Sequence, residues 1–261
     1  MLVFVQTATV AETLARIDEI ARTGKEGAIA TDGDGTLWSG DIGEDFFAAL
    51  LEQKRLLPSV EAHLVREAKE HGLDGGGGTF ELAHRIHAAY LAGTFPEERV
   101  CEIMTWATAG ARRVDMDGFA RDLIEAIGLE GRLHREALLV VEHAKKHGIE
   151  VFLVSASPRP IVLAAAEVVG IPLTHVVAAT ERIDSDGIVL AEVDRPIPYG
   201  PGKVTRLREK LAARPLYAAM GDNVFDIPLL VDSTVPIAIR PKSRLVERAG
   251  EVKGLVVLER R

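Results

Sequence analysis

One cysteine, Cys101, is all that 261 residues contain. An internal disulfide is therefore excluded, and the composition suits a reducing cytosol. Positive charge is also in deficit: the formal net charge is −8, which discourages nonspecific binding to nucleic acid or to an anionic membrane. No apolar run reaches the length of a membrane span. The first residues, MLVFVQTATVAETL, lack the basic n-region and the apolar h-region of a signal peptide. The expectation is a cytoplasmic protein whose partner is neither nucleic acid nor membrane. Internal repeats are missing. The run Gly75 to Gly78 has no Lys-Ser/Thr after it, so it reads as a flexible loop and not as a nucleotide phosphate loop. His84 with His87, and His143 with His147, have the spacing of a helix face. No cysteine or third ligand accompanies either pair in the sequence, which argues against zinc.

What is present has the proportions of a soluble globular protein, with 47% hydrophobic and 27% charged residues. The length allows one large domain or a domain with an insert. ATVAETLARIDEIAR carries helical periodicity, and GAIAT reads as a short buried strand. Farther on, EALLVVEHAKKHGIEVFLVSASPRPIVLAAAEVVGI reads as helix, stop at Gly148, apolar strand, turn and helix. THVVAAT is another strand, KVTRLREKLAA a helix, LYAAMGD a strand, NVFDIPLLVDS a turn and helix, and VPIAI the final strand. Short continuous apolar strands alternating with helices predict an α/β fold, a doubly wound parallel sheet. From Glu44 to Leu133 the rhythm breaks, and successive helical segments follow with no convincing strand. The expected division is a core of residues 1–43 and 134–261 with an all-helical cap, residues 44–133, inserted after the first strand. Phe46, Phe47 and Trp106 are expected inside that cap. Both ends of the insert fall near the end of the first strand, so it is expected to work as a lid.

GAIAT runs straight into DGDGTLW, which sets Asp32 and Asp34 either side of one glycine. Like charges this close repel, and unpaired buried carboxylates are costly. A surface turn also uses Asp and Gly, so the stretch alone permits an ordinary loop. Three further segments bear on the choice. VFLVSAS ends near Ser155, YGPGKVTRL puts Lys203 at a helix start, and LYAAMGDNVFD puts Asp222 at a strand end with Asp226 just beyond. In an open parallel sheet ligands bind past the carboxyl ends of the strands, so three of the four segments share one edge. Two carboxylates about 4 Å apart repel by roughly 4 kcal/mol at an effective dielectric of 20. Four converging carboxylates therefore imply Lys203 beside them and a hard divalent cation with oxygen ligands, Mg²⁺. Such a pocket attracts a phosphoryl group, which Ser155 and nearby backbone N–H groups can hold. A carboxylate nucleophile divides the barrier to phosphate monoester hydrolysis, and a second carboxyl two residues on can act as general acid and then base.

DGDGTLW, LVSAS, the Lys203 segment and GDNVFD resemble, in order and spacing, the four motifs of the haloacid dehalogenase superfamily. The helical insert resembles the cap of its phosphoserine-phosphatase-like branch, and the resemblance covers nearly the whole chain. It implies that Asp32 is the nucleophile, forming an aspartyl phosphate, and that Asp34 is the general acid and base. It places Ser155, Ala156 and Lys203 at the phosphoryl group, with Lys203 screening charge. Mg²⁺ would be held by Asp32, Asp34 (through its backbone carbonyl), Asp222 and Asp226. The implied activity is a Mg²⁺-dependent phosphatase acting on a small phosphorylated metabolite, phosphoserine-like or an amino-alcohol phosphate. A phosphotransferase of the same superfamily and a noncatalytic phosphate sensor are the alternatives; the long insert and Asp34 weigh against the sensor. Three positions depart from the family pattern. Gly33 replaces a bulkier apolar residue, Phe225 replaces the asparagine before the last aspartate, and Asp41 stands where a glutamate reads the serine amine. Asp41 is the candidate reader of a substrate amine, against a plain polar loop. Arg112 is the candidate clamp for a substrate carboxylate or phosphate, against a solvated charge pair.

Overall fold

The apolar runs pair as a seven-stranded parallel sheet in the computed structural model, which describes residues 6–260. The apolar start at residues 1–5 lies outside the described residues. The sheet strands are β1 (Gln6–Ala8), β2 (Ala28–Thr31), β3 (Glu150–Pro158) and β4 (Val176–Ala179). A separate antiparallel pair follows, β5 (Glu181–Ile183) and β6 (Val189–Val193). β7 (Leu216–Gly221), β8 (Val235–Ala238) and β9 (Val256–Leu258) complete the sheet. Its order is β1-β9-β8-β7-β2-β3-β4, and every neighbouring pair is parallel. β2 is the point where the winding reverses: β3 and β4 extend to one side of it, and β7, β8 and β9 to the other. A reversal of this kind leaves a crevice past the carboxyl ends of the strands.

The residues of each strand divide between two apolar layers with a period of two. Ala28 and Ala30 join Phe152 and Val154 in one layer, while Ile29 joins Val151 and Leu153 in the other. Both faces are therefore covered, which is why these strands read as unbroken apolar runs. The covering helices are α1 (Val10–Ala21), α2 (Ile42–Glu52), α3 (Glu61–Glu70), α4 (Thr79–Leu91), α5 (Glu97–Trp106) and α6 (Arg113–Ala126). They continue with α7 (Arg135–Lys146), α8 (Arg159–Val169), α9 (Pro201–Leu211) and the short α10 (Ile227–Val231) and α11 (Ser243–Glu247). α1 begins at a capping box, where Glu12 N donates to Thr9 Oγ1 (3.2 Å) and Thr9 N to Glu12 Oε2 (2.8 Å). That cap ends the extended stretch, so Gln6–Ala8 pairs with β9 instead of lengthening the helix.

Helices α2 to α6 occupy the chain between β2 and β3, with no described strand among them. They do not build a core of their own. One continuous apolar cluster joins Ile29 and Leu153 of the sheet to Leu64, Leu82 and Ile103 of the insert. Phe46, Phe47 and Trp106 lie in it at 1%, 2% and 2% exposure, each stabilising the fold by roughly 1.5–3 kcal/mol on full burial. α6 rests on α8, and α5 on β3. Two further features differ from the sequence expectation. VPIAI is not the final strand, because β9 follows it and closes onto β1. The β5–β6 hairpin turns at Ser185–Asp186, closed by Gly187 N donating to Asp184 O (3.2 Å). It pairs with the insert: Gly110 N donates to Val189 O (2.8 Å), Val189 N to Ala111 O (2.9 Å), and Arg113 N to Gly187 O (2.9 Å). No helix among the described residues is long and apolar enough to cross a membrane.

Candidate active site

Asp32 is the first residue past β2, and its backbone N–H donates to Met220 O of β7 (3.0 Å). Its carboxylate accepts from two sides, with Lys203 Nζ 2.6 Å from Oδ1 and Thr36 Oγ1 3.0 Å from Oδ2. Lys203 stands in the first turn of α9, whose Pro201 fits the φ that a helix start requires. The same ammonium donates to Asp226 Oδ1. Asp226 Oδ2 accepts from the backbone N–H groups of Asp222 and Asn223 (3.0 and 2.9 Å), which fixes this carboxylate in the turn after β7. Asp222 is met by Lys242 Nζ at 3.1 Å. Asp32, Asp222, Asp226 and Lys203 are all buried. The close approach of the loop after β2 to the Asp222 carboxylate depends on Gly35, at φ +80°: a Cβ on it would lie 2.2 Å from Asp222 Oδ2.

Asp34 points elsewhere. Trp38 Nε1 (2.9 Å) and Ile42 N (2.8 Å) donate to its Oδ1. Ser157 Oγ (2.7 Å) and Ser155 Oγ (3.3 Å) meet its Oδ2. N–H groups only donate, so Oδ1 is kept free of a proton; hydroxyls donate or accept, so Oδ2 is the oxygen able to carry one. Gly33 finds its reason here, since a Cβ on it would sit 2.7 Å from the Trp38 ring. The missing side chain is the space that the indole fills.

Burial lifts the Asp32 carboxyl well above the usual carboxylate range; Lys203 opposes this, while Asp226, Asp222 and Asp34 add to it. Burial also pushes Asp222 up to about 6, with Asp226 adding and Lys242 opposing. For Lys203 burial acts downward, and the Asp226 and Asp32 carboxylates more than reverse it, so the ammonium stays charged. Negative charge is in excess at this sheet edge. One oxygen from each of Asp32, Asp222 and Asp226 lies within 4.8 Å of the other two. Three buried hard oxygen donors fit a small divalent cation. The Asp34 carboxylate is not in that group, in keeping with the expectation that this residue would offer its backbone carbonyl.

Above these residues lies a crevice of about 380 Å³, lined by Asp32, Asp34, Ser155, Ala156, Lys203, Asp222 and Asp226 from the core. Asp41 lines it too, as the N-cap of α2, accepting from Glu44 N at 2.9 Å. Burial raises the Asp41 carboxyl well above its ordinary value, with Asp34 adding. Arg112 does not line the crevice, which corrects its expected role. It is an exposed residue at the start of α6, held outward where the insert bridges to Ile188 of the hairpin. Its neighbour Arg113 is bound to Glu181 at 2.6 Å. His143 and His147 gain a third group that the sequence did not suggest, Asp18 of α1, but they too lie outside the crevice. His87 packs on Phe47 and Tyr90. Sequence reasoning missed Ser157, Lys242, Glu44, Tyr90, Glu97 and Tyr199, all of which line the crevice. Lys242 lies shortly past β8, so the strand-end rule that located Asp222 also reaches it. The insert residues carried no such signal.

No curated protein matches the sequence. Among solved structures, a protein of unknown function from Bordetella pertussis Tohama I is similar at a TM-score of 0.70 and 22% identity, over 90% of this chain and 99% of that one. A functionally unknown protein from Anaerococcus prevotii DSM 20548 gives 0.66 and 16%, over 87% and 82%. A substrate-bound phosphoserine phosphatase gives 0.52 and 16%, over 91% and 94%. These are likenesses of fold. The family model of haloacid dehalogenase-like hydrolases matches residues 29–231, a span that takes in every strand end from Asp32 to Asp226. By that match the chain belongs to the haloacid dehalogenase-like hydrolase family.

Proposed function

We propose that the protein is a phosphoric monoester hydrolase that attacks small phosphomonoesters with Asp32. The observation carrying this reading is the division of labour between two carboxylates two residues apart. Asp32 is set between Lys203 and Thr36 beside Asp222 and Asp226, while Asp34 has one oxygen tied to N–H groups and the other free to hold a proton. A carboxylate oxygen of Asp32 attacks phosphorus, the bond to the leaving oxygen breaks, and Asp34 Oδ2 gives that oxygen its proton. Asp34, now ionised, takes a proton from water; the resulting hydroxide attacks phosphorus and frees the Asp32 carboxylate. Lys203 stays charged throughout, and Ser155 and Ala156 border the phosphoryl position. Mg²⁺ bound among Asp32, Asp222 and Asp226 would supply neutralisation of the phosphoryl oxygens. In this reading helices α2 to α6 are the cap, and the partner is a small soluble phosphorylated metabolite in the cytoplasm.

The test is hydrolysis of p-nitrophenyl phosphate and of a phosphometabolite panel with Mg²⁺ and with excess chelator. Mg²⁺-dependent turnover is expected, lost in Asp32→Asn, with acid-quenched wild type carrying a phosphoryl adduct on the peptide that contains Asp32. Turnover retained in Asp32→Asn would remove the assignment.

A further inference from the structure

The insert side of the crevice is acidic and aromatic. Asp41 and Glu44 enter it from the start of α2, Glu97 from the first residue of α5, and Tyr90 and Tyr199 line it beside them. Among the described residues only two cations line the crevice, and both are engaged with the core, Lys203 with Asp32 and Asp226, Lys242 with Asp222. Acids at helix starts ordinarily serve the helix dipole, and Asp41 does cap α2. That role does not explain Glu44, whose Oε1 accepts from Tyr90 Oη on another helix at 2.8 Å. Nor does it require Glu97 to face the same space as Glu44 and Asp41. Burial raises both Glu97 and Asp41 above their ordinary values, which marks carboxyl groups whose charged form lacks a counter-charge. Lys242 and Arg244 oppose the shift at Glu97, whereas Asp34 and Glu44 add to it at Asp41, and no cation lining the crevice comes from the insert.

Building on the phosphatase reading, we infer that the leaving group carries an ammonium and no carboxylate, making the substrate class amino-alcohol monophosphates. The phosphoryl end meets the lysines and the cation site at the sheet edge. The far end meets three carboxyl groups and two tyrosines, a surface that attracts a cation by charge. A phosphorylated amino acid brings a carboxylate as well, and beside the ammonium that group would face Asp41 and Glu44 at the start of α2, where the charged neighbours of Asp41 are acids and the crevice lining from the insert holds no cation. Arg112, the residue that could have received it, lies outside. A neutral polyol ester would leave the wall's charge uncompensated in a partly closed space.

The experiment compares kcat/KM with Mg²⁺ on O-phosphoethanolamine, phosphocholine, O-phosphoserine and glycerol 3-phosphate, with p-nitrophenyl phosphate alongside. At least one ammonium ester is expected to exceed both the serine and the glycerol ester by about tenfold or more, and the two ammonium esters separate a primary from a quaternary head. Equal or better turnover of phosphoserine or glycerol 3-phosphate overturns the inference while leaving the phosphatase reading standing. No turnover of any ester, p-nitrophenyl phosphate included, overturns that reading and the inference with it. Glu97→Gln, at a partly exposed position, and Asp41→Asn, which retains a helix-capping oxygen, should each lower the ammonium-to-glycerol ratio of kcat/KM by about tenfold, mainly through KM. A ratio unchanged in both variants overturns the inference.

Discussion

Asp34 Oδ1 is met by an indole N–H and a backbone N–H, its Oδ2 by two serine hydroxyls. Asp34→Asn keeps an acceptor for the N–H pair, so the fold should survive while the transferable proton is lost. The expected loss in kcat is roughly 10² to 10⁴ for an alkyl phosphate, and much less for p-nitrophenyl phosphate, whose leaving group departs without an acid. A loss under about tenfold on the alkyl ester would refute the role. Gly33→Val puts atoms where the Trp38 ring sits, so it should move the indole off Asp34 and lower kcat with little change in KM; a quenched or shifted tryptophan emission checks the cause. Asp222 gives a pH prediction. Its folded value of about 6 lies above the ordinary 3.8, so between those values the cation-free folded state holds a proton that the unfolded chain has released. Stability of the cation-free protein therefore falls as pH rises through that window. Mg²⁺ must displace this proton at low pH, so the Tm increase on adding Mg²⁺ should be larger at about pH 7.5 than at about pH 5. Equal increases in scanning calorimetry would count against Asp222 as a ligand.

Elements explain which residues the sequence revealed. Lys203, in the first turn of α9, follows no strand of the main sheet and was singled out by its own segment, whereas Asp32, Asp222 and Ser155 each stand at the end of an apolar run and Asp226 lies in the turn beyond one. The rule that ligands bind past strand ends was enough to collect those carboxylates and the serine. β1 and β9 are three residues long and sit at one edge of the sheet, too short for any period to show. The hairpin did carry a signal, Asp186–Gly187 between Ile183 and Val189, but its half-exposed strands lack the apolar continuity of the sheet. The wall of the crevice was not legible at all. Which faces of α2 and α5 look inward is decided by how α2 packs on α8 and β3 and α5 on β3, and that of α4 by its packing on α2, α3 and α5, not by their own periodicity. Asp41 shows that one residue can serve two elements, since it caps α2 and borders the crevice. Asp41→Ala should cost about 1 kcal/mol in urea unfolding, and Asp41→Asn only a few tenths, because asparagine caps nearly as well.

At the scale of the whole molecule the insert and the sheet share one apolar cluster, and ion pairs fasten them further. Arg113 and Arg159 approach the buried Glu181 at 2.6 and 3.6 Å, and Arg159 binds Asp117 at 2.9 Å. A rigid swing of the whole insert would tear this common core, so a lid of that kind does not match the packing. Unfolding should follow a single cooperative transition with matching calorimetric and van't Hoff enthalpies; two resolved transitions would show the insert to be independent. Arg113→Ala strips the closer partner from Glu181 and should destabilise by about 3 kcal/mol, read as a Tm drop of roughly 6–12 °C. The position of β2 has a consequence of another kind. Its neighbours start at Glu150 and Leu216, so while the ribosome is still delivering the insert helices, the strand bearing Asp32 has both edges bare. A chain released before Leu216 contains Asp32, Asp34, Ser155 and Lys203, yet it presents an unpaired strand edge that invites other chains to stick. Synthesis of the final strands, long after the nucleophile has left the ribosome, sets the moment at which the nascent protein becomes safe to release.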